Sequence, residues 1–354
     1  MKDYRKEIEE LVLVVAKEGA SDLHLSAGRH PTIRVAGDLI PIVKKPVLTP
    51  EDTLGIALEI LNDENKKIFL EQREVDFSYT PTANVRFRGN AFFQRGLVGV
   101  ALRLIPMKVR TLKELNLPER LLDFTSKKQG FFLVVGPVGQ GKSTTLATMI
   151  EVINQQRAEH IITIEDPIEY LFTSERSIID QREVRFDTKN FFTALRSMFR
   201  EDVNVAMIGE MRNPETISMA VTAAETGHLI LSTLHTNSAS QTIDRIIDSF
   251  PGAQQQQIKT QLAGSLLGIF SQRLIPRVSG GLIPAYELLV NNSAVANLIR
   301  EGRTAEIDVM IETGSTEGMI DLNRVLAELV RNGEISADNA FRYAVNPESL
   351  TKLI

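Results

Sequence analysis

Apolar residues change their spacing several times along the chain, and each change marks an element. The opening stretch MKDYRKEIEELVLVVAKEG keeps its apolar residues on one helical stripe and holds only the short run LVLVVA between charged flanks. It predicts an amphipathic helix, too short for a membrane span or a signal sequence. SDLHLSA and PTIRVAGDLIPI then alternate apolar and polar positions, the second around a central Gly-Asp, which predicts strands and a hairpin. LTPEDTLGIALEIL offers Thr49 as an N-cap and Pro50 as the first helical residue. Val85 and Phe87 alternate with Arg86 and Arg88 at the start of a further strand, VRFRGNAFFQR. The strand pattern stops at Pro106 within RLIPMKVRTLKELNLPE. A small α+β domain is therefore expected over residues 1–107, a short basic connector over 108–116 and a second domain over 117–354.

Beyond the connector, buried-strand patterns alternate with helical ones: GFFLVV, HIITIEDP, NFFTALRSMFRED, VNVAMIGEM, NPETISMAVTAAETG and HLILSTLHT. Such alternation predicts a doubly wound sheet, whose ligands sit beyond the carboxyl ends of the strands. GPVGQGKSTT follows the first apolar run and fits G-x-x-x-x-G-K-[ST], with Gly136, Gly141, Lys142 and Ser143 in register. The glycines let the loop through Gly136, Pro137, Val138, Gly139, Gln140 and Gly141 curl. Its backbone N–H groups, with the helix start at Lys142, Ser143 and Thr144, then point at a polyphosphate. Lys142 offsets phosphate charge and Ser143 offers a hydroxyl to Mg²⁺. The chain reads as a P-loop NTPase.

Glu165, Asp166, Glu210 and His235 all end strands and are expected on the loop's side of the sheet. Glu210 closes VNVAMIGE, where a carboxylate orients a water for attack on a γ-phosphate or holds Mg²⁺ through water. Asn213 and Pro214 already supply the start of the next helix, which leaves Glu210 for the site.

Composition narrows the field. With 354 residues and 43% hydrophobic positions, the chain is long enough for two cores. A net charge of -5 argues against a dedicated nucleic-acid binder, so no nucleic-acid partner is expected. The chain has no cysteine, which excludes disulfides, thiolate zinc sites and cysteine nucleophiles and agrees with a cytoplasmic address. AQQQQIKTQ reads as a polar helical turn, not a glutamine tract.

Taken in order, GPVGQGKSTT, ITIEDPIEY, MIGEMRNPET and TGHLILSTLHTNSA resemble the Walker A, aspartate box, Walker B and histidine box of the type IV pilus retraction ATPases, a twitching-motility group of the secretion ATPase superfamily. The resemblance runs from ASDLHLSAG through RFRGNAFFQRG to GMIDLNRVLAELVRNGEIS, almost the whole chain. It implies an α/β, RecA-like ATPase core with a smaller PAS-like α+β domain before it and a helical C-terminal region. It also implies a homohexamer that hydrolyses ATP with Mg²⁺ to retract pili. Such a motor is cytoplasmic, lies peripherally on the inner face of the cytoplasmic membrane, and works on an inner-membrane platform protein and the pilus machinery. Assembly motors of the superfamily resemble the core but typically carry a tetracysteine zinc insertion and a larger N-terminal region, neither of which this sequence contains. An assembly or secretion motor, and a nucleotide-binding scaffold with little turnover, are the alternatives.

The resemblance assigns roles as well. Glu210 is the implied base, while Glu165, Asp166 and Glu169 shape the metal and water shell, with Ser143, Asp166 and Glu210 as the metal-facing set. Arg88, Arg95 and Arg103 are the implied N-terminal arginines that reach nucleotide, where a guanidinium meets charge developing on phosphate; on pattern alone they form a solvated strand face. His228 and His235 begin and end one strand. One is expected to sense phosphate and the other to contact a neighbour, unless they are satisfied core groups. His24 of SDLHLS is expected to pack or bond locally. Ala294 to Glu301 resemble the retraction group's C-terminal signature, with departures at Val295 and at Ala296, which stands where that signature has an arginine. Asn213 replaces an aspartate and keeps its cap chemistry. Leu298 and Ile299 form an apolar edge near Arg300 that suits a partner, or packs as an ordinary helix face.

Overall fold

The structure, a computed structural model, describes every residue except Met1, Ala36, Ala83, Asn84, Met107 and Arg212. The expected boundary residue Met107 and the arginine of MIGEMRNPET thus lie outside the described residues. Two compact units emerge, residues 1–108 with 169–171, and residues 109–168 with 172–354.

In the first unit, α1 (Tyr4–Lys17), α2 (Pro50–Ile60) and α3 (Asp63–Gln72) accompany β1 (Asp22–Ser26), β2 (Thr32–Val35), β3 (Asp38–Pro41), β4 (Glu74–Thr82), β5 (Val85–Gln94) and β6 (Leu97–Ile105). The strands form one antiparallel sheet in the order β3-β2-β1-β6-β5-β4. Ile8, Leu11, Val12 and Val15 recur at helical spacing on α1 and are buried, as the opening pattern predicts. They share a core with Leu23 and Leu25 of β1, Phe87 of β5 and Leu102 of β6. Successive strand residues point to opposite faces, so Asp22, His24 and Ser26 occupy the face away from that core. Residues paired directly across strands share a face, which adds Thr32 and Arg34 of β2, Arg103 of β6 and Arg88 of β5. At the start of α2, Thr49 accepts from the Asp52 N–H and Asp52 returns the bond, a capping box with Pro50 inside it.

The second unit holds β7 (Gly130–Val135), β8 (His160–Glu165), β9 (Ile178–Glu183), β10 (Val205–Ile208), β11 (Leu229–Leu234), β12 (Leu266–Pro276) and β13 (Leu282–Val290) in the order β13-β12-β7-β11-β10-β8-β9. All neighbours from β12 to β9 run parallel, and β13 closes one edge antiparallel to β12. The helices in chain order are α4 (Leu122–Thr125), α5 (Lys142–Gln156), α6 (Phe191–Met198), α7 (Pro214–Glu225), α8 (Ala239–Asp248), α9 (Gly252–Ser265), α10 (Ser293–Glu301), α11 (Ile307–Thr313), α12 (Leu322–Arg331), α13 (Ala337–Tyr343) and α14 (Pro347–Thr351). Phe131, Leu133 and Val135 of β7 pack with Leu195 of α6 and Val221 of α7, whereas Phe132 and Val134 pack with Met149 and Ile153 of α5. Burial on both faces explains the unbroken apolar runs. The fold is mixed α/β with a parallel core, and every strand read from the sequence is present. No element is expected over 266–290 from the sequence patterns, yet β12 and β13 extend the sheet there. No helix among the described residues is long and apolar enough to cross a membrane.

Candidate active site

The turn between β7 and α5 is built around two glycines that nothing else replaces. Gly136 has φ 145°, and a Cβ there would meet the Gln272 carbonyl oxygen at 2.3 Å; Gly141, before α5, has φ 79°. The chain can therefore run against β12 and then turn into the helix. Val138 and Gly139 form the outer part of this loop, Val138 being 79% exposed. Lys142 is buried, and its Nζ donates to the carbonyls of Gly136 (2.9 Å) and Pro137 (2.8 Å). Ser143 and Thr144 follow, half-buried, in the first turn of α5. A small cavity of about 80 Å³ opens beside Gly141, Thr144 and Thr145.

Behind the loop stands a residue that carries no motif. Gln272 of β12 is 3% exposed; its Nε2 donates to the Gln140 carbonyl (2.8 Å) and its Oε1 accepts from Thr145 Oγ1 (2.6 Å). Two positions on, the Leu274 N–H donates to Gln140 Oε1 (2.6 Å). A single strand thus holds the loop at its end and at the first helical turn.

The carboxylates arrive from neighbouring strands. Glu165 ends β8, buried, with Oε1 accepting from Thr163 Oγ1 (2.6 Å) and Gln181 Nε2 (3.3 Å). Asp166 is exposed and pairs with Arg185 at 3.3 Å. The Gly209 N–H donates to the Ile164 carbonyl at 2.8 Å, which brings Glu210 out beside the end of β8. His235, just past β11, places Nδ1 3.2 Å from Lys142 Nζ and Nε2 3.9 Å from Glu210 Oε2. An ammonium only donates, so Nδ1 accepts and the ring proton sits on Nε2, facing the carboxylate. His235 therefore stands between Lys142, which it touches, and Glu210, whose carboxylate lies beyond hydrogen-bond distance. Asn213 caps α7 by accepting from the Thr216 N–H at 2.9 Å, as expected.

The remaining expected residues are divided between the two units. Glu169 is exposed and belongs with the first compact unit. His228 lies at the opposite end of β11 from His235, about 20 Å away along the strand. There its Nδ1 meets the Ala223 carbonyl (3.0 Å) and its ring packs edge-on against Phe199. Arg103 donates from Nε to Asp22 (2.8 Å), and Arg88 is its direct cross-strand neighbour. Arg95 sits in the β5–β6 turn, about 20 Å along β5 from Arg88, so the three arginines do not form one cluster. On α10, Val295, Ala296 and Ile299 are buried in the core and Leu298 packs against it, while Asn297 and Arg300 face solvent. Ile299 is thus core rather than part of a partner-facing edge, and Ala296 fills a buried position where an arginine's charge would need a partner.

Two further buried carboxylates shape the surroundings. Glu183 accepts from the Ile168 N–H (3.3 Å), which ties the aspartate-box loop to β9. Glu287 of β13 accepts from the Ala239 N–H at the start of α8 (2.8 Å), and burial pushes its carboxyl up to about 7. Among the described residues no three His, Cys, Asp or Glu side chains gather as a metal-holding group. Mg²⁺ is a hard ion that takes one or two protein oxygens and fills its shell with water and phosphate. Ser143, Asp166 and Glu210 are oxygen donors of that kind.

The type II/IV secretion system protein pattern matches residues 4–323. The chain is 45% identical over 343 residues to the type IV pilus retraction ATPase PilT of Pseudomonas aeruginosa, covering 97% of this chain and 99% of that protein. It is 42% identical over 322 residues to a twitching motility protein of Neisseria gonorrhoeae, covering 91% and 86%. A crystal structure of the pilus retraction motor PilT with bound ADP matches with a TM-score of 0.91 at 44% identity, covering 97% of this chain and 98% of that one.

Proposed function

Because the chain belongs to the type II/IV secretion system protein family, we propose that it is an ATPase motor that retracts type IV pili and so powers twitching motility. The observation that carries this reading is the convergence of Lys142, His235 and Glu210 at the glycine loop, in a chain that matches a retraction ATPase over 97% of its length. ATP lays its phosphates over the N-terminal end of α5. Lys142 then turns from the Gly136 and Pro137 carbonyls to the phosphate oxygens, and loop N–H groups meet the remaining charge. Glu210 accepts the proton of a water aligned with the γ-phosphate. His235, with its Nε2 proton toward Glu210, stands between that carboxylate and the lysine, and Glu165 holds the neighbouring strand end in place.

Mg²⁺, when bound, neutralises phosphate charge; Ser143 would hold it directly, with Asp166 and Glu210 reaching it through water. Arg88, Arg95 and Arg103 are the N-terminal arginines that this reading carries toward nucleotide, Arg103 being engaged by Asp22 and Arg88 its cross-strand neighbour. The working form in this reading is a homohexamer on the inner face of the cytoplasmic membrane, driving a platform protein and contacting no nucleic acid.

ATP turnover by the purified chain, measured together with particle mass and with pilus dynamics in a deletion strain, tests the reading. A hydrolysing hexamer whose loss stops retraction but leaves extension is expected. ATP binding without turnover would make the chain a scaffold, and loss of extension would make it an assembly motor.

A further inference from the structure

A second cavity lies wholly within the first unit, on the sheet face away from that unit's core. Its volume is about 580 Å³, and its lining includes His24, Arg29, His30, Thr32, Gln94 and Arg95. That volume falls in the range of small-molecule sites. Strand register explains the gathering. His24 pairs with Thr32, and Ser26 at the end of β1 pairs with Gly99 near the start of β6. The β1–β2 loop with Arg29 and His30 therefore leaves the sheet at the same end as the β5–β6 turn with Arg95.

No acidic residue lines the cavity. Arg29 and Arg95 are both exposed, and among the described residues neither makes an ion pair or a side-chain hydrogen bond. At the other end of the same face, by contrast, Arg34 and Arg103 both pair with Asp22. His24 Nε2 is buried without a hydrogen-bond partner, a state few buried polar atoms tolerate. His30 Nδ1 is fixed on the Lys45 carbonyl at 2.6 Å, which orients its ring in the wall. Arg95 has φ 51° and Gly96 φ 77°, a two-residue turn whose first position ordinarily takes Asn, Asp or Gly. Local turn chemistry does not account for an arginine there, whereas a guanidinium at the cavity mouth does.

We propose that this cavity binds a small phosphorylated molecule carrying a diphosphate or two phosphate groups. Arg29 and Arg95 present planar forks that match phosphate oxygens, and His24 Nε2–H supplies the buried donor that now lacks an acceptor. Two guanidinium charges with no carboxylate to neutralise them suit a dianionic group better than a neutral ligand or a single carboxylate.

Inorganic pyrophosphate titrated calorimetrically into the full chain is the test. Lys142→Ala removes the lysine of the phosphate loop, so pyrophosphate bound by that variant reports the cavity. One equivalent per chain is expected, falling in affinity as salt rises, and weakened at least about tenfold when Arg29→Gln or Arg95→Gln is added. Both arginines are exposed, so the melting temperature should not move. No binding by the Lys142→Ala chain, or unchanged affinity after loss of both arginines, would overturn the proposal.

Discussion

Lys142 and His235, 93 positions apart in sequence, meet with Nζ 3.2 Å from Nδ1, and the same ammonium is shared with two loop carbonyls. The lysine is thus pre-positioned in a buried place by contacts that phosphate oxygens replace. Lys142→Ala is expected to weaken ATP binding at least about a hundredfold, a difference of roughly 3 kcal/mol. A nucleotide titration checks it, and unchanged affinity would remove Lys142 from the site.

Glu210 faces the other nitrogen of the same ring at 3.9 Å. Glu210→Gln keeps the shape and should still bind ATP and assemble, but turn over at least about a hundredfold more slowly, as for loss of a general base. Near-normal steady-state hydrolysis would move the base to Glu165, the other carboxylate at this edge of the sheet.

Gln272 joins β12 to the loop through a part-buried hydrogen bond and to the first turn of α5 through a buried one. Gln272→Ala leaves the Gln140 carbonyl without its donor and opens a void, so a stability loss of about 2 kcal/mol is expected, with weaker ADP binding. Thermal melting with and without ADP measures both. A lowered melting temperature with intact ADP affinity would make Gln272 a core residue only.

Glu287 is a carboxyl whose folded pKa, about 7, lies above its ordinary 4.5. Between those values the folded chain holds the proton more tightly than the unfolded one. Stability therefore falls as pH rises from about 4.5 to 7 and stays lowered above that, by on the order of 3 kcal/mol. Glu287→Gln keeps an oxygen for the Ala239 N–H and removes the titration. Its melting temperature should exceed that of the parent above pH 7, with the gap closing toward pH 5. A gap independent of pH would place the effect elsewhere.

Arg300 projects from α10, its guanidinium donating to Asn297 one turn earlier, while Val295, Ala296 and Ile299 hold the helix to the core. Arg300→Ala should leave melting temperature, ring formation and ATP turnover near normal and abolish retraction in cells. Joint loss of all of these would show the position to be structural.

The phosphate loop was legible because its chemistry is local: glycines, a lysine and a serine at fixed spacing after a buried run admit few other readings. Glu165, Glu210 and His235 were legible through strand order, since parallel strands deliver their carboxyl ends to one edge. Gln272 was not. One glutamine inside LLGIFSQRLIP has no pattern of its own, and its meaning comes from β12 lying parallel to β7, which brings Gln272 to Thr145 across 127 positions. Ile299 misled for a related reason: two adjacent apolar residues on a short helix look alike until packing decides that one is core and the other only borders it. The arginines of β5 and β6 read as one charged group because alternation reveals a shared face but not separation along it.

The β12–β13 hairpin grips more than the phosphate loop. Ser271 and Arg273 donate to the Asn237 carbonyl just beyond His235, and Glu287 on the partner strand holds the first turn of α8. The glycine loop and the segment after His235 are therefore clamped to the same pair of strands, and neither shifts without either dragging the hairpin or stranding buried polar groups. The hairpin is a yoke. Its outer strand β13 also carries the C-terminal helix α12, packed on it through Ile283 and Leu326.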